Sequence, residues 1–180
     1  GNLNLTPADY YRVLRMKTGE LFALSAELGA ILSEAPAPQK EALRRYGMAL
    51  GTAYQVYDDC LDLFGTEEEA GKTLGSDLAK GKVTLPILLL LERCSRGELE
   101  PLRSSLAAWE PQDLPRLRQL LDQHQTFEGS AEVVKQLLDE SRLALTELPP
   151  SPSRTSLHEL TDFLAAQMTS LGESARASAV

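Results

Sequence analysis

An all-α bundle is the fold this sequence predicts, on three observations. The dominant apolar period along the chain is helical, no run demands a strand, and breaks bearing proline or glycine separate the periodic segments. With 180 residues, 43% of them hydrophobic, the chain is long enough to bury one sizeable core. Neither a repeat nor a low-complexity segment divides it, so residues 1–180 read as a single all-α domain.

The elements follow in order. Thr6-Pro7-Ala8-Asp9 offers an N-cap, a proline at the first helical position and an acid in the first turn, opening a helix that runs to about residue 33. Pro36 and Pro38 end it, and a second helix covers about 40–64 until Gly65 stops it. Residues 66–82, with Gly71, Gly75 and Gly81, read as a long loop with room for a helical turn, a length that usually signals function or disorder. Further helices are expected at about 84–94, 113–124, 130–148 and 153–171, and the small and polar residues of 172–180 as a frayed tail.

A net charge of −8 argues against nucleic acid as a partner, because phosphate-backbone binding needs a basic stripe and none is visible. Cys60 and Cys94 are the only thiols, and neither sits in a CxxC pattern or beside a histidine at ligand spacing. Disulfide frameworks and zinc sites are therefore not expected, and a reducing, cytoplasmic compartment is. There is no signal peptide or long apolar span.

The second helix carries the chemistry. At 100° per residue Leu43, Tyr46, Leu50, Tyr54, Tyr57, Leu61 and Phe64 form an apolar stripe, and Met48, Val56, Cys60 and Leu63 spread over other faces. Such a helix is largely buried. Its exceptions, Gly47, Gly51, Gln55, Asp58, Asp59 and Asp62, share an arc of about 120°, with the glycines opening space before the acids. Like charges at i and i+4, as at Asp58 and Asp62, cost a helix roughly 0.2–0.5 kcal/mol even when exposed, and burial raises the cost. Something cationic should meet them. Mg²⁺ suits, since it takes one or two carboxylates and completes its octahedron with waters and phosphate oxygens. The alternative is a solvated acidic face at a helix end, and the apolar surroundings argue against it.

An independent anomaly lies on the first helix. Tyr10, Val13, Leu21, Leu24, Leu28 and Ile31 all fall within about 40° of Lys17 on the wheel. The lysine either snorkels to solvent along its own stem or meets an anion, to which Thr18 could add a hydroxyl. In the loop, Gly71-Lys72 and Gly81-Lys82 allow backbone as well as ammonium groups to approach a phosphate. Asp77 either adds an acidic contact or caps a turn. Together these groups describe a diphosphate held by Mg²⁺ on one side and lysines on the other.

The run Tyr54-Gln55-Val56-Tyr57-Asp58-Asp59-Cys60-Leu61-Asp62, followed by Gly65, Gly71-Lys72, Gly75, Asp77-Leu78 and Lys80-Gly81-Lys82-Val83-Thr84-Leu85-Pro86, resembles the second aspartate-rich region of the trans-isoprenyl diphosphate synthases, the polyprenyl synthetase family. Lys17-Thr18 resembles the family's lysine-threonine pair, and the segment from Leu148-Pro149-Pro150-Ser151 to Met168 its final helices. Tyr54 stands where phenylalanine is usual. The resemblance covers essentially the whole chain but only the C-terminal half of the family.

It implies the C-terminal portion of the isoprenoid synthase fold and a prenyltransferase that joins an allylic diphosphate to isopentenyl diphosphate. Cationic groups and Mg²⁺ would stabilise the departing diphosphate while the allylic cation attacks the double bond and a proton is lost. By the same resemblance Asp58 binds Mg²⁺ directly, with Asp59 and Asp62 holding its waters or acting behind it. Lys17, Thr18, Gln55, Lys72 and Lys82 hold the allylic diphosphate, and Phe22 and Ala26 are candidates to line the channel for the growing tail.

The family's first aspartate-rich motif has no counterpart here; Glu67, Glu68 and Glu69 form a run better explained as solvated. The chain is therefore expected to be inactive alone. It would be either a fragment of a full synthase or a half-length subunit completed by a partner, and its uncovered apolar surface should promote self-association into a homo-oligomer. A terpene cyclase fragment and a non-catalytic regulatory helical subunit are the alternatives. A carboxylate-bridged di-iron bundle is not expected, because neither His124 nor His158 has Glu-x-x-His spacing.

Overall fold

The computed structural model describes residues 3–71 and 73–177. Every regular element among them is helical: α1 Pro7–Leu14, a π-helical turn Arg15–Gly19, α2 Glu20–Leu32, α3 Ala37–Phe64, α4 Glu67–Ala70, α5 Ser76–Ala79, α6 Leu85–Arg93, α7 Arg96–Ala107, a 3₁₀ turn Pro111–Asp113, α8 Leu114–Gln123, α9 Thr126–Leu145 and α10 Pro152–Ala177. The expected all-α class holds. No helix among the described residues is long and apolar enough to cross a membrane.

Several boundaries differ from expectation for identifiable reasons. The first predicted helix is interrupted by the π turn, whose i→i+5 bonding inserts about one residue, or about 100°, of phase. A wheel drawn straight through Lys17 therefore joins two different faces. Residues 66–82 contain two one-turn helices. In α4, Thr66 and Glu69 form a reciprocal capping box and Gly71 closes the turn at φ +62°. Helix α7 was not expected, although Ser95 and Glu98 make the same box at its start; Pro101 inside it masks the helical pattern. At the C-terminus α10 continues through Ala177, so the expected fray does not begin at Gly172. Gly172 is instead buried, with Phe127 occupying the space where a side chain would be.

The chain divides into two compact units, and both α1 and α3 contribute to each. The first comprises the residues up to Tyr10, Val56–Ala131 and those from Ser170 on. Its interior is built of large side chains, among them Leu63, Leu85, Ile87, Leu90, Leu117 and Leu121. Phe64 and Phe127 meet edge to face with centroids 5.2 Å apart. The last carbonyls of α3 are taken by the Arg118 guanidinium: Nε donates to Leu63 O and Nη2 to Gly65 O, each at 2.6 Å. A basic group at a helix C-terminus satisfies orphaned carbonyls and complements the dipole.

The second unit comprises Tyr11–Gln55 and Glu132–Thr169. Its interior mixes small and large side chains: Ala23, Ala30, Ala42, Ala49, Ala53 and Ala144 are buried together with Leu50, Val134, Leu138 and Leu145. A Cβ on Gly47 would collide with the backbone of Phe22 and Ala23, and one on Gly51 would lie 2.8 Å from the Phe22 side chain. The glycines of α3 thus let α2 pack against it at close range, and the space they open is filled by Phe22. Arg44 ties the same two helices, donating to Glu20 at 2.8 Å and to Glu27 at 3.0 Å. The buried Tyr46 hydroxyl donates to Leu157 O at 2.9 Å, and burial pushes its pKa up to about 12.

Candidate functional site

In the first unit, α3 presents its three aspartates in three different environments. Asp62 is 1% exposed. Its Oδ1 accepts from the Ser76 hydroxyl at 2.9 Å and its Oδ2 from the Asp77 N–H at 3.1 Å, while its backbone carbonyl accepts from the Gly75 N–H at 2.8 Å. It therefore holds the start of α5 against the end of α3. Gly75 makes this possible with φ +69°, a left-handed conformation that glycine adopts without penalty. Asp59 is also buried, and its Oδ2 accepts from the Tyr10 hydroxyl at 2.7 Å. Asp58 is only half-buried. The three carboxylates thus share one arc of the helix and differ in burial.

The loop lysines separate. Lys82 Nζ donates to Asp77 Oδ1 at 2.6 Å, and its backbone N–H to Asp77 O at 2.8 Å, so Asp77 both pairs with the lysine and closes the turn that follows α5. Gly81, at φ +73°, allows that turn. Lys72 lies outside the described residues. Glu67, Glu68 and Glu69 are exposed, as a solvated run should be.

The remaining candidates belong to the second unit. Thr18 sits in the π turn and donates from Oγ1 to Gln55 Oε1 at 2.7 Å, a part-buried bond that fixes the Gln55 side chain, itself 5% exposed. Single π turns inside α-helices recur at functional sites, because the wider turn re-aims a side chain that a regular helix would place elsewhere. Lys17, in the same turn, is exposed. The expectation of a lysine within a buried apolar stripe is corrected here. Tyr10 is buried, whereas Val13, Leu21, Leu24, Leu28 and Ile31 are all exposed, Leu21 by 65%. Burial therefore does not force an anion on Lys17. Phe22 and Ala26 are half-buried, and Phe22 stacks on Tyr54 with centroids 5.8 Å apart. Tyr54, expected in the buried stripe of α3, is 46% exposed.

The comparisons agree with this architecture. Residues 1–123 match the family model for polyprenyl synthetase. The chain belongs to the polyprenyl synthetase family. It is 33% identical over 165 residues to a short chain isoprenyl diphosphate synthase from Methanothermobacter thermautotrophicus, covering 90% of this chain and 50% of that protein. Among solved structures, a polyprenyl synthase from Caulobacter crescentus, complexed with calcium and isoprenyl diphosphate, superposes with a TM-score of 0.86 at 35% identity, covering 92% of this chain and 51% of the other. A decaprenyl diphosphate synthase from Rhodobacter capsulatus gives 0.84 at 34% identity, covering 93% and 52%. The chain thus spans about half the length of the polyprenyl synthetases it matches.

One cluster was missed by sequence reasoning. Cys94, Glu98 and His124 have their ligand-type atoms within 4.8 Å of one another in the first unit. The statement that no cysteine lies at ligand spacing from a histidine holds along the sequence and fails in space, where the α8–α9 turn brings His124 to the α6–α7 junction. No local spacing signals an approach between residues 30 positions apart.

Proposed function

We propose that this chain carries the second aspartate-rich half of a trans-prenyltransferase that acts on an allylic diphosphate and isopentenyl diphosphate. The observation that supports this most directly is the grouping of three carboxylates on one arc of α3, with Asp59 and Asp62 buried and hydrogen-bonded and Asp58 half-buried beside them. An oxygen-only donor set of this kind fits Mg²⁺ or another hard divalent cation. When bound, the cation offsets charge that develops on a departing diphosphate.

The side chains of the chain have distinct parts in this reading. Asp58 supplies the carboxylate that takes the cation. Tyr10 fixes Asp59 through its hydroxyl, so that Asp59 orders the water shell instead of rotating away. Asp62 holds the α5 turn in place through Ser76 and Asp77, and that turn delivers Lys82, paired to Asp77, as a positive charge of fixed origin. In the second unit Thr18 and Gln55 hold one another and Lys17 in the same turn is exposed, and their place in the family's motif assigns these three to the allylic diphosphate. Lys72 is assigned to the same task by its place in the motif.

Because the chain spans about half the length of the relatives, the isopentenyl diphosphate site and the first aspartate-rich motif are assigned to sequence outside these 180 residues, in the same protein or in a partner. The 180-residue chain alone should give no chain elongation from an allylic primer and isopentenyl diphosphate; measurable product would overturn the half-site assignment.

Metal-dependent ligand binding tests the carboxylate assignment. Calorimetric titration with farnesyl diphosphate should show binding that needs Mg²⁺, is abolished by chelation, and weakens by about tenfold or more in Asp58→Ala. Equal binding with and without Mg²⁺, or in Asp58→Ala, would remove the carboxylate from its proposed role.

A further inference from the structure

Cys94 ends α6, Glu98 lies in the first turn of α7, and His124 follows α8. Their convergence is separate from the aspartates and has a different chemistry. His124 Nε2 lies 3.9 Å from Cys94 Sγ and 3.6 Å from Glu98 Oε1. Both neighbours therefore approach the same ring nitrogen. A nucleophilic cysteine with a histidine base would need the carboxylate on the other nitrogen, Nδ1, to orient the ring. Two ligand atoms converging on one imidazole nitrogen can be bridged by the ring's own N–H or by a shared cation, and the donor set is suited to the latter.

We propose that Cys94, Glu98 and His124 bind a single zinc ion, with a fourth position left to water. The donor set selects the metal class: a thiolate and an imidazole favour Zn²⁺ over Mg²⁺ or Ca²⁺, and a carboxylate completes a common borderline set. The distances are close to those required. Bonds of about 2.3 Å to sulfur and about 2.0–2.1 Å to nitrogen and oxygen place tetrahedral ligand atoms about 3.3–3.6 Å apart. The two distances to His124 Nε2 need to contract by a few tenths of an ångström, and Cys94 and Glu98, within 4.8 Å of one another, close on the ion from either side.

The surrounding groups support the geometry. Glu98 accepts from the Ser95 hydroxyl at 2.6 Å and the Ser95 N–H at 2.9 Å, both through Oε2, which aims the other oxygen at His124. Arg93 Nη1 holds the turn that carries the histidine, donating to His124 O at 2.8 Å and Gln125 O at 2.5 Å. Orientation of ligands by such partners is a regular feature of metal sites. The Glu98 side chain is 40% exposed, which gives the ion a path from solvent.

Cobalt substitution tests this on the intact protein, with Mg²⁺ in excess so that oxygen-only sites are occupied. Titration with Co²⁺ should produce intense tetrahedral d–d bands and a thiolate-to-cobalt charge-transfer band, with one equivalent of Zn²⁺ abolishing both. Cys94→Ser should lose the charge-transfer band and His124→Ala the tetrahedral spectrum, whereas Cys60→Ser should keep both. Far-ultraviolet circular dichroism without metal confirms that each variant is folded. A weak octahedral spectrum in the wild type, or a charge-transfer band that survives Cys94→Ser, overturns the site.

Discussion

The two units of this chain solve the same packing problem with different materials. The first fills its interior with large aliphatic and aromatic side chains and secures its segments with polar clamps, buried at Asp62 and Asp59 and half-buried at Arg118. The second adds six buried alanines to large side chains such as Leu138 and Leu145, and brings α2 close to α3 at Gly47 and Gly51. Among the described residues, the exposed large apolar side chains all belong to this second unit, on α1–α2 at Val13, Met16, Leu21, Leu24, Leu28, Ile31 and Leu32, on α3 at Tyr54, and on α9–α10 at Leu143, Leu160 and Phe163. The difference is one of exposure: the first unit covers its large apolar side chains, and the second leaves contiguous apolar helix faces open to solvent.

The sharpest way to break the first half of that comparison is Asp62→Ala. It would strand the buried Asp77 N–H and take the acceptor from the half-buried Ser76 hydroxyl, and loss of these two hydrogen bonds to a carboxylate should cost about 3 kcal/mol in urea denaturation. A loss below about 1 kcal/mol would mean that the carboxylate is not a structural clamp. The corresponding test for the second unit is Gly47→Ala, which drives a methyl group into the backbone of Phe22 and Ala23. Overpacking against atoms that cannot rotate away should cost about 3 kcal/mol.

Smaller effects sharpen the picture. Ser95→Ala removes the N-cap of α7 and should cost about 1 kcal/mol, read from thermal or urea unfolding. The Ser95 hydroxyl and N–H also hold Glu98 below the usual carboxylate range. Because that pKa is depressed on folding, the wild-type contribution is present above the unfolded carboxylate pKa and is lost as pH falls through the folded one. The Ser95→Ala difference should therefore shrink on acidification. Least costly of all is Leu24→Glu on the bare face of α2, where stability should change by no more than about 0.5 kcal/mol. Sedimentation velocity should nonetheless show reduced self-association, and an unchanged distribution would show that this face does not drive it.

The sequence displayed the helical class, the limits of α3 to within a few residues, and the motif that carries Asp58, Asp59, Asp62 and Lys82, because these depend on local periodicity and ordered spacing. It did not display which apolar faces are covered. A wheel identifies that Leu21, Leu24, Leu28 and Ile31 share a stripe, but not whether anything packs on it, and the π turn breaks the phase that joined them to Tyr10. Helix α7 was legible in principle through Ser95 and Glu98, and was hidden by Gly97 and Pro101. Asp62 and Asp59 look alike on a wheel, and only their partners, Ser76 and Tyr10, distinguish their tasks. The convergence of Cys94 with His124 depends on tertiary structure alone.

The Arg118 fork on Leu63 O and Gly65 O has a consequence for the order of assembly. The cap of α3 comes from a single residue, 55 and 53 positions along the chain from the two carbonyls it binds, so closing it carries the entropy of a long loop. Helix α3 can nucleate early from its own sequence, but its final turn, the one bearing Asp62, gains its cap only when α8 docks. The carboxylate end should accordingly be among the last parts of α3 to gain protection against hydrogen exchange during refolding.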